Sequence, residues 1–162
     1  MTTYNTPNTL PTFSVSIIQK INGDFIEQNI TLADFLKDTN KGLILYFYPK
    51  DNTQGCTLQA VEFSELIHTF DNKNYLIVGV SRDSIKSHQN FINKHNLTIA
   101  LISDTDEGLC QYFDVIKEKM MYGKTHLGVV RSTFVFDNSG KLIHEFRNVK
   151  AKVHQQDLLS QL

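Results

Sequence analysis

Residues 43–48 (Leu-Ile-Leu-Tyr-Phe-Tyr) limit the fold of this chain more than any other segment. Every residue of this run is apolar or aromatic, which is typical of a central strand buried on both faces. Residues 75–80 form a second run of this kind, and a helix predicted from Thr53 onward separates the two runs. Buried strands that alternate with helices predict an α/β fold with a mostly parallel sheet.

The other predicted elements follow from apolar alternation, helix caps and turn residues. They are strands at 13–18, 25–30, 99–102, 132–136 and 142–146, helices at 31–36, 85–95 and 154–162, and a helical turn from Asp104 that holds Cys110. The first two strands are predicted to form a hairpin, and Asp137-Asn138-Ser139-Gly140 predicts another between the last two. The late hairpin therefore predicts an antiparallel edge on the sheet.

The bulk composition predicts an ordinary globular protein. The chain has 162 residues, of which 41% are apolar and 20% charged, with a net charge of −1. We expect one domain over residues 1–162, with residues 1–10 as a loose lead-in. The near-neutral charge argues against a nucleic-acid partner, and the longest apolar runs are too short to span a membrane. No secretory signal is visible, and two distant cysteines form no disulfide framework, so we expect a cytoplasmic protein.

Cys56 is the residue most clearly placed to carry out a reaction. It follows the 43–48 strand and a polar turn, and it falls in the predicted first turn of a helix. The N–H groups and partial positive charge of a helix N-terminus favour the thiolate, which is the reactive form of cysteine. In open α/β sheets, chemistry tends to lie at the carboxyl ends of the strands, and Cys56 lies just past such an end.

The residues around Cys56 resemble a known motif. Pro49-x-x-x-Thr53-x-x-Cys56 after a buried aromatic strand resembles the peroxidatic motif of the peroxiredoxins. The longer string YFYPKDNTxGCT resembles the bacterioferritin comigratory protein (Q-type) branch of that family. Three further stretches fit this branch in the same order: residues 78–83 with Ser87-His88, residues 101–104, and residues 122–124 followed by 131–134. The similarity spans roughly residues 8–160.

The resemblance implies a fold, an activity and a set of site residues. The fold would be a thioredoxin-like three-layer α/β/α sandwich with a central mixed sheet and an N-terminal β-hairpin. The activity would be reduction of hydrogen peroxide and organic hydroperoxides by a monomer without a cofactor or metal. Cys56 would be the peroxidatic nucleophile, and Thr53 would orient the peroxide. Pro49 would shield the thiolate, and Arg131 would hold both the thiolate and a peroxide oxygen.

The chain departs from the family in the thiol that restores the nucleophile. Many members of this branch carry a resolving cysteine five residues after the first, where this chain has Val61. Another subgroup carries it in the helix predicted here at 85–95, which has no cysteine. Either thioredoxin, glutaredoxin or a small thiol reduces Cys56 directly, or Cys110 is an unusual resolving residue. We favour the external thiol because Leu109 and Phe113 beside Cys110 suit a buried structural thiol.

Other interpretations of Cys56 remain open at the level of the sequence. A peroxide-responsive redox sensor or binding module would carry the same motif, and only turnover by a thiol reductant distinguishes it from an enzyme. A thiol–disulfide oxidoreductase needs Cys-x-x-Cys, but Thr53 occupies the first of those positions. None of the six histidines pairs with a cysteine or with another histidine at zinc-ligand spacing.

A second departure from the family pattern is Gln54, which stands where proline is usual before the Gly-Cys pair. Without that proline, the start of the helix is less stiff.

Overall fold

The computed structural model describes residues 3–162. Its elements, in chain order, are β1 (Val15–Ile21), β2 (Asp24–Ile30), α1 (Leu32–Leu36), β3 (Gly42–Phe47), α2 (Gln54–Glu65), α3 (Ile67–Asn72), β4 (Tyr75–Ser81), α4 (Ile85–His95), β5 (Ala100–Ser103), α5 (Gly108–Tyr112), β6 (Ile116–Met121), β7 (Lys124–Val129), β8 (Ser132–Phe136), β9 (Leu142–Arg147) and α6 (His154–Gln161).

Seven of the strands form one mixed sheet in the order β2-β1-β5-β4-β3-β8-β9. The central strands β3, β4 and β5 are parallel, while the hairpin β1–β2 extends one side and the hairpin β8–β9 the other, both antiparallel to their neighbours. The predicted antiparallel edge is therefore confirmed, and the N-terminal hairpin adds another. Strands β6 and β7 form a separate two-stranded sheet.

Two apolar cores lie on the two faces of the sheet, as the alternation along β3 requires. Leu43, Leu45 and Phe47 pack with α1 and α5 on one face. Ile44 and Tyr46 pack with α2, α3, α4 and α6 on the other. Helices on both faces of a mixed sheet confirm the predicted three-layer α/β/α sandwich.

Three local predictions were wrong or incomplete. The hairpin β6–β7 was not predicted, because β6 carries three consecutive charged residues and most of both strands is exposed or half-buried, without a buried apolar run. The helix predicted from Thr53 divides into α2 and α3 at Leu66, where the backbone leaves the helical region. The helical turn with Cys110 begins only at Gly108, since Glu107 before it has a positive φ of 62°.

The register of the sheet determines what lies at the end of β3. Strand β8 is antiparallel to β3, and Ser132 at its start pairs with Phe47 at the end of β3. Arg131, one residue before β8, is therefore brought beside the loop that follows β3. That loop carries Pro49 and Thr53 and leads into α2, so residues distant in sequence meet at one edge of the sheet.

Part of the N-terminal segment is bound to the body of the protein. Asn8 accepts a hydrogen bond from the backbone N–H of Leu142 at 2.8 Å, and Thr9 accepts one from the Tyr112 hydroxyl at 3.0 Å. Met1 and Thr2, which belong to the predicted lead-in, lie outside the described residues. Within residues 3–162, no helix combines the length and the apolar character that a membrane crossing requires.

Candidate active site

Cys56 lies in the first turn of α2, as the sequence predicts. Thr53 is the N-cap residue of the helix, and its carbonyl accepts the first helical hydrogen bond from the N–H of Thr57 at 2.9 Å. The Cys56 side chain points into the core on the α2 face of the sheet and is only 1% exposed. The thiol therefore lies at the positive end of a helix and is shielded from bulk water.

Arg131 lies directly against the thiol. Its Nη2 donates a hydrogen bond to Cys56 Sγ at 3.3 Å. A guanidinium stays charged and offers several N–H donors in one plane, so it stabilises a thiolate and still has a donor for a second atom. The structure thus brings together two side chains that are 75 residues apart in the sequence.

Gly55 gives Arg131 the space to reach Cys56. A Cβ atom at Gly55 would lie 2.7 Å from Arg131 Nη2, closer than non-bonded atoms approach. The guanidinium of Arg131 therefore lies in the space that a side chain at this position would fill.

We expect Gly55→Ala to slow the oxidation of Cys56 by about tenfold, because the new methyl group displaces the guanidinium from the sulfur. Stopped-flow measurement of Cys56 oxidation by hydrogen peroxide tests this. Gly128→Ala is the matched control, since a Cβ there meets the flexible side chain of Lys119 at 3.2 Å and the His126 ring at 3.7 Å, and no part of Arg131. Equal rates for the two variants would contradict the expectation.

Two buried glutamines hold the Arg131 guanidinium in place through a chain of hydrogen bonds. Arg131 Nη1 donates to Gln59 Oε1 at 2.9 Å, and Gln59 Nε2 donates to Gln155 Oε1 at 2.9 Å. Gln155 in turn donates to the carbonyl of Ala151 and to Glu62 Oε1, at 2.7 and 2.9 Å. Helices α2 and α6 thus fix the guanidinium, because each amide is satisfied in only one orientation.

Thr53 and Pro49 frame the loop beside the thiol. The Thr53 hydroxyl donates to the carbonyl of Lys50 at 2.8 Å and forms no side-chain cap on the helix. Since its hydrogen is engaged, its oxygen can accept a hydrogen bond from a bound molecule. Pro49 is half-buried at the end of β3 and begins this loop.

Comparison with known proteins identifies the family of this chain. The AhpC/TSA family model matches residues 7–145, which is most of the sequence. The chain belongs to the AhpC/TSA family. Among the relatives of this AhpC/TSA protein, peroxiredoxin Bcp of Xanthomonas campestris is 49% identical over 120 residues, covering 74% of this chain and 75% of the relative. Peroxiredoxin Bcp of Bacillus subtilis is 41% identical over 143 residues, covering 88% of each.

Solved structures of the family have the same fold. The Xanthomonas campestris bacterioferritin comigratory protein is 38% identical, with a TM-score of 0.78, covering 97% of this chain and 96% of that one. The Xylella fastidiosa PrxQ Cys→Ser mutant is 37% identical, with a TM-score of 0.81, covering 99% and 96%. These comparisons confirm the thioredoxin-like fold and the peroxiredoxin resemblance. This AhpC/TSA protein is a peroxiredoxin, a thiol-dependent peroxidase.

Cys110 lies on the other side of the sheet from Cys56. It is fully buried in α5, within the core that contacts α1, and both cysteines are free thiols. Burial and the nearby Asp104 carboxylate raise the pKa of the Cys110 thiol. Asp104 also accepts the backbone N–H of Cys110 at 2.9 Å, which ties this helix to the core. Cys110 in this AhpC/TSA protein is therefore both inaccessible and protonated.

Several residues near the site were given no role by the sequence analysis. Gln59 is three positions after Cys56, so helical spacing could have revealed that it shares a face with the thiol. Gln155 gave no such signal, because only the tertiary fold brings α6 to α2. Asp51 and His88 contact each other at 2.7 Å, a pairing that the sequence did not reveal, although His88 belongs to a stretch that resembles the family.

Tyr46 adds a further polar group to the buried surroundings of Cys56. Burial, followed by the nearby Cys56 and Asp51, raises the pKa of the Tyr46 hydroxyl, so the group stays protonated. Among the described residues, its hydroxyl is the one buried side-chain oxygen without a hydrogen-bond partner. Gly79 on the neighbouring strand leaves the space that the ring fills, since a Cβ there would lie 2.8 Å from it.

Proposed function

We propose that Cys56 is the peroxidatic nucleophile of this peroxidase. Its thiolate attacks one oxygen of the hydroperoxide, the S–O bond forms and the O–O bond breaks. The departing oxygen takes a proton and leaves as an alcohol or as water, and Cys56 becomes a sulfenic acid. The observation that carries the proposal is the 3.3 Å contact of Arg131 Nη2 with a buried Sγ at a helix N-terminus.

Arg131 and Thr53 would have different parts in the reaction. Negative charge develops on the departing oxygen as the O–O bond breaks, and the fixed N–H donors of Arg131 stabilise that charge. The Thr53 hydroxyl donates to Lys50, so its lone pairs would accept the O–H of the peroxide and orient it. Pro49 would cover the sulfur on the loop side and exclude water.

We propose hydrogen peroxide and organic hydroperoxides as substrates. The Xanthomonas campestris relative is described as having alkyl peroxide reduction activity, which supports the organic class. No cofactor enters the proposed reaction, because the peroxide supplies the oxidising equivalent and a thiol supplies the electrons. We place this reaction in the cytoplasm, where free thiols are kept reduced, and assign it to a monomer without nucleic-acid contacts.

An external thiol would complete the cycle. Its thiolate attacks the Cys56 sulfur, the S–O bond breaks, and the hydroxide that leaves takes a proton to form water; a second thiol then releases Cys56. The family resemblance implies a resolving thiol at position 61 or in helix α4, and this chain has Val61 and no cysteine in α4. Cys110 is a poor resolving residue, because its protonated thiol lies beyond the β-sheet. Thioredoxin, glutaredoxin or a small thiol would therefore be the reductant.

Treatment with one equivalent of hydrogen peroxide tests this route. We expect mass spectrometry to find one added oxygen on Cys56, and a mixed disulfide at Cys56 once a small thiol is added. Cys110→Ser should keep its thiol-dependent turnover within about twofold of the original protein, since the thiol plays no part in the cycle. A Cys56–Cys110 disulfide, with loss of turnover in Cys110→Ser, would establish the two-cysteine route instead. Oxidation of Cys56 without turnover by any thiol would indicate a sensor.

A further inference from the structure

The hairpin β6–β7 is joined directly to the residue that touches the reactive thiol. Strand β7 ends at Val129, and Arg131, which donates to the Cys56 sulfur, follows two residues later. The backbone N–H of Val130 donates to the carbonyl of Val115 at 2.8 Å, so the two sides of the hairpin stay bonded as far as the residue before Arg131. Side chains on the adjoining part of β6 are therefore carried close to the active site.

Lys119 of β6 leans along the hairpin in the direction of Arg131. In the register of the hairpin Lys119 pairs with His126, but its side chain crosses Gly128, which is two residues nearer to Arg131. A Cβ atom at Gly128 would lie 3.2 Å from Lys119 Cδ and 3.7 Å from its Cε, so the missing side chain leaves room for the lysine. The ammonium is thereby directed towards the edge of the site where Arg131 meets Cys56.

Lys119 forms no ion pair within residues 3–162. Its side chain is half-buried, so the ammonium has also lost part of its hydration. Asp114 is already paired with Lys117 at 2.8 Å, and Glu118 extends from the opposite face of β6, because side chains alternate along a strand. The charge of Lys119 is therefore left without a counter-charge from the described part of the protein.

The charges around Lys119 favour an incoming anion. Burial first, and then the positive charge of Arg131, lowers the pKa of the Lys119 ammonium, while Cys56 raises it. Arg131 and Lys119 repel each other at this short range unless an anion binds beside them. An anion that reaches Cys56 would be stabilised by both cations.

The thiol reductant is the reactant to which no binding residue has yet been assigned. Arg131 and Thr53 would hold the peroxide through its oxygen atoms, but they give the reductant no preferred orientation. The Cys56 sulfur belongs to a side chain that is 1% exposed, which favours a small thiol over a protein. Free cysteine and the small peptides that contain it all carry a carboxylate, which an ammonium binds through a charge-assisted hydrogen bond.

We propose that Lys119 is a specificity-determining residue that binds the carboxylate of a small anionic thiol during the reduction of Cys56. This inference rests on the function proposed above and names the chemical class of its reductant. The carboxylate binds Lys119 while the thiolate of the same molecule attacks the Cys56 sulfur. The S–S bond forms, the S–O bond breaks, and the hydroxide that leaves takes a proton to form water. The positive charge thus selects anionic thiols over neutral and cationic ones.

Three small thiols of different charge test the proposal: 3-mercaptopropionate is an anion at neutral pH, 2-mercaptoethanol is uncharged and cysteamine is a cation. The protein is first oxidised with one equivalent of hydrogen peroxide, and quenched-flow mass spectrometry then gives the rate at which each mixed disulfide forms. We expect Lys119→Met to lower the rate with 3-mercaptopropionate, relative to 2-mercaptoethanol, by about three- to tenfold. The relative rate with cysteamine should rise. Rate ratios within one variant cancel the intrinsic reactivity of each thiol.

Lys124→Met is the matched control, because it removes the same charge from an exposed position near the tip of the same hairpin. Its rate ratios should stay within about twofold of those of the original protein. Lys119→Arg keeps the positive charge and should keep most of the preference for 3-mercaptopropionate. Salt at about 0.5 M should reduce this preference in the original protein and leave the ratios of Lys119→Met almost unchanged, since salt screens the charge.

Equal rate ratios in Lys119→Met and the original protein would overturn the proposal. The same loss of preference in Lys124→Met would also overturn it, because the net charge of the hairpin alone would then explain the effect. Failure of the proposed function would look different. The original protein would then form no mixed disulfide at Cys56 with any of the three thiols.

Discussion

Cys56→Ser is expected to abolish thiol-dependent peroxide reduction, with a loss of at least about 10⁴-fold. A serine hydroxyl in the same position is a far weaker nucleophile than a thiolate, and loss of a nucleophile has effects of this order. The fold should persist, because the buried side chain changes by a single atom and Arg131 still finds an acceptor. Peroxide consumption in the presence of a small thiol measures the effect, and the thermal unfolding midpoint checks the fold.

Cys110→Ser is the matched control, since both variants make the same substitution of a buried thiol. Retained activity in Cys110→Ser together with its loss in Cys56→Ser assigns the chemistry to the α2 face of the sheet. Comparable activity in the two variants would contradict the assignment of Cys56 as the nucleophile.

Arg131→Met should lower the rate constant for Cys56 oxidation by about 10²- to 10³-fold, as the removal of a fixed donor from an oxyanion site does. The loss has two sources, because Arg131 touches Sγ at 3.3 Å and would also stabilise the departing oxygen. The rate constant of Arg131→Lys should lie between those of the original protein and of Arg131→Met, since lysine keeps the positive charge without the planar set of donors. Stopped-flow oxidation at several peroxide concentrations gives the rate constants.

Arg82→Met is the control for the loss of an arginine. Arg82 pairs with Glu107 at 3.1 Å at a half-exposed position, so its removal should change the rate by about twofold or less. If Arg131→Met lost no more activity than Arg82→Met, Arg131 would have no part in the chemistry.

Much of the fold could be predicted because its central elements have one strong local signal each. The buried run at 43–48 became β3, and the cap and apolar spacing of α4 gave the observed bounds of residues 85–95. The β6–β7 hairpin could not be found in this way. Strand β6 carries the half-buried Lys117 and Lys119 and the exposed Met120, so it lacks the pattern of a buried strand.

The site was predictable where chemistry is concentrated in a motif and not where it depends on packing. Cys56, Thr53 and Pro49 are close in sequence, whereas Arg131 was identified only through the family resemblance. Gln155 and the pair of Asp51 with His88 depend on how α6 and α4 pack against the sheet. A polar residue that is buried only after folding gives no signal of that burial in the sequence.

The separation of the two cysteines by the sheet has a consequence for the lifetime of the enzyme. A sulfenic acid with no internal thiol partner persists until an outside thiol arrives, and a second peroxide can convert it to a sulfinic acid that ordinary thiols do not reverse. The fraction of inactivated protein would then rise with the ratio of peroxide to thiol around it. On the proposed route, the same molecule works as a catalyst when thiols are abundant and as a single-use indicator when they are exhausted.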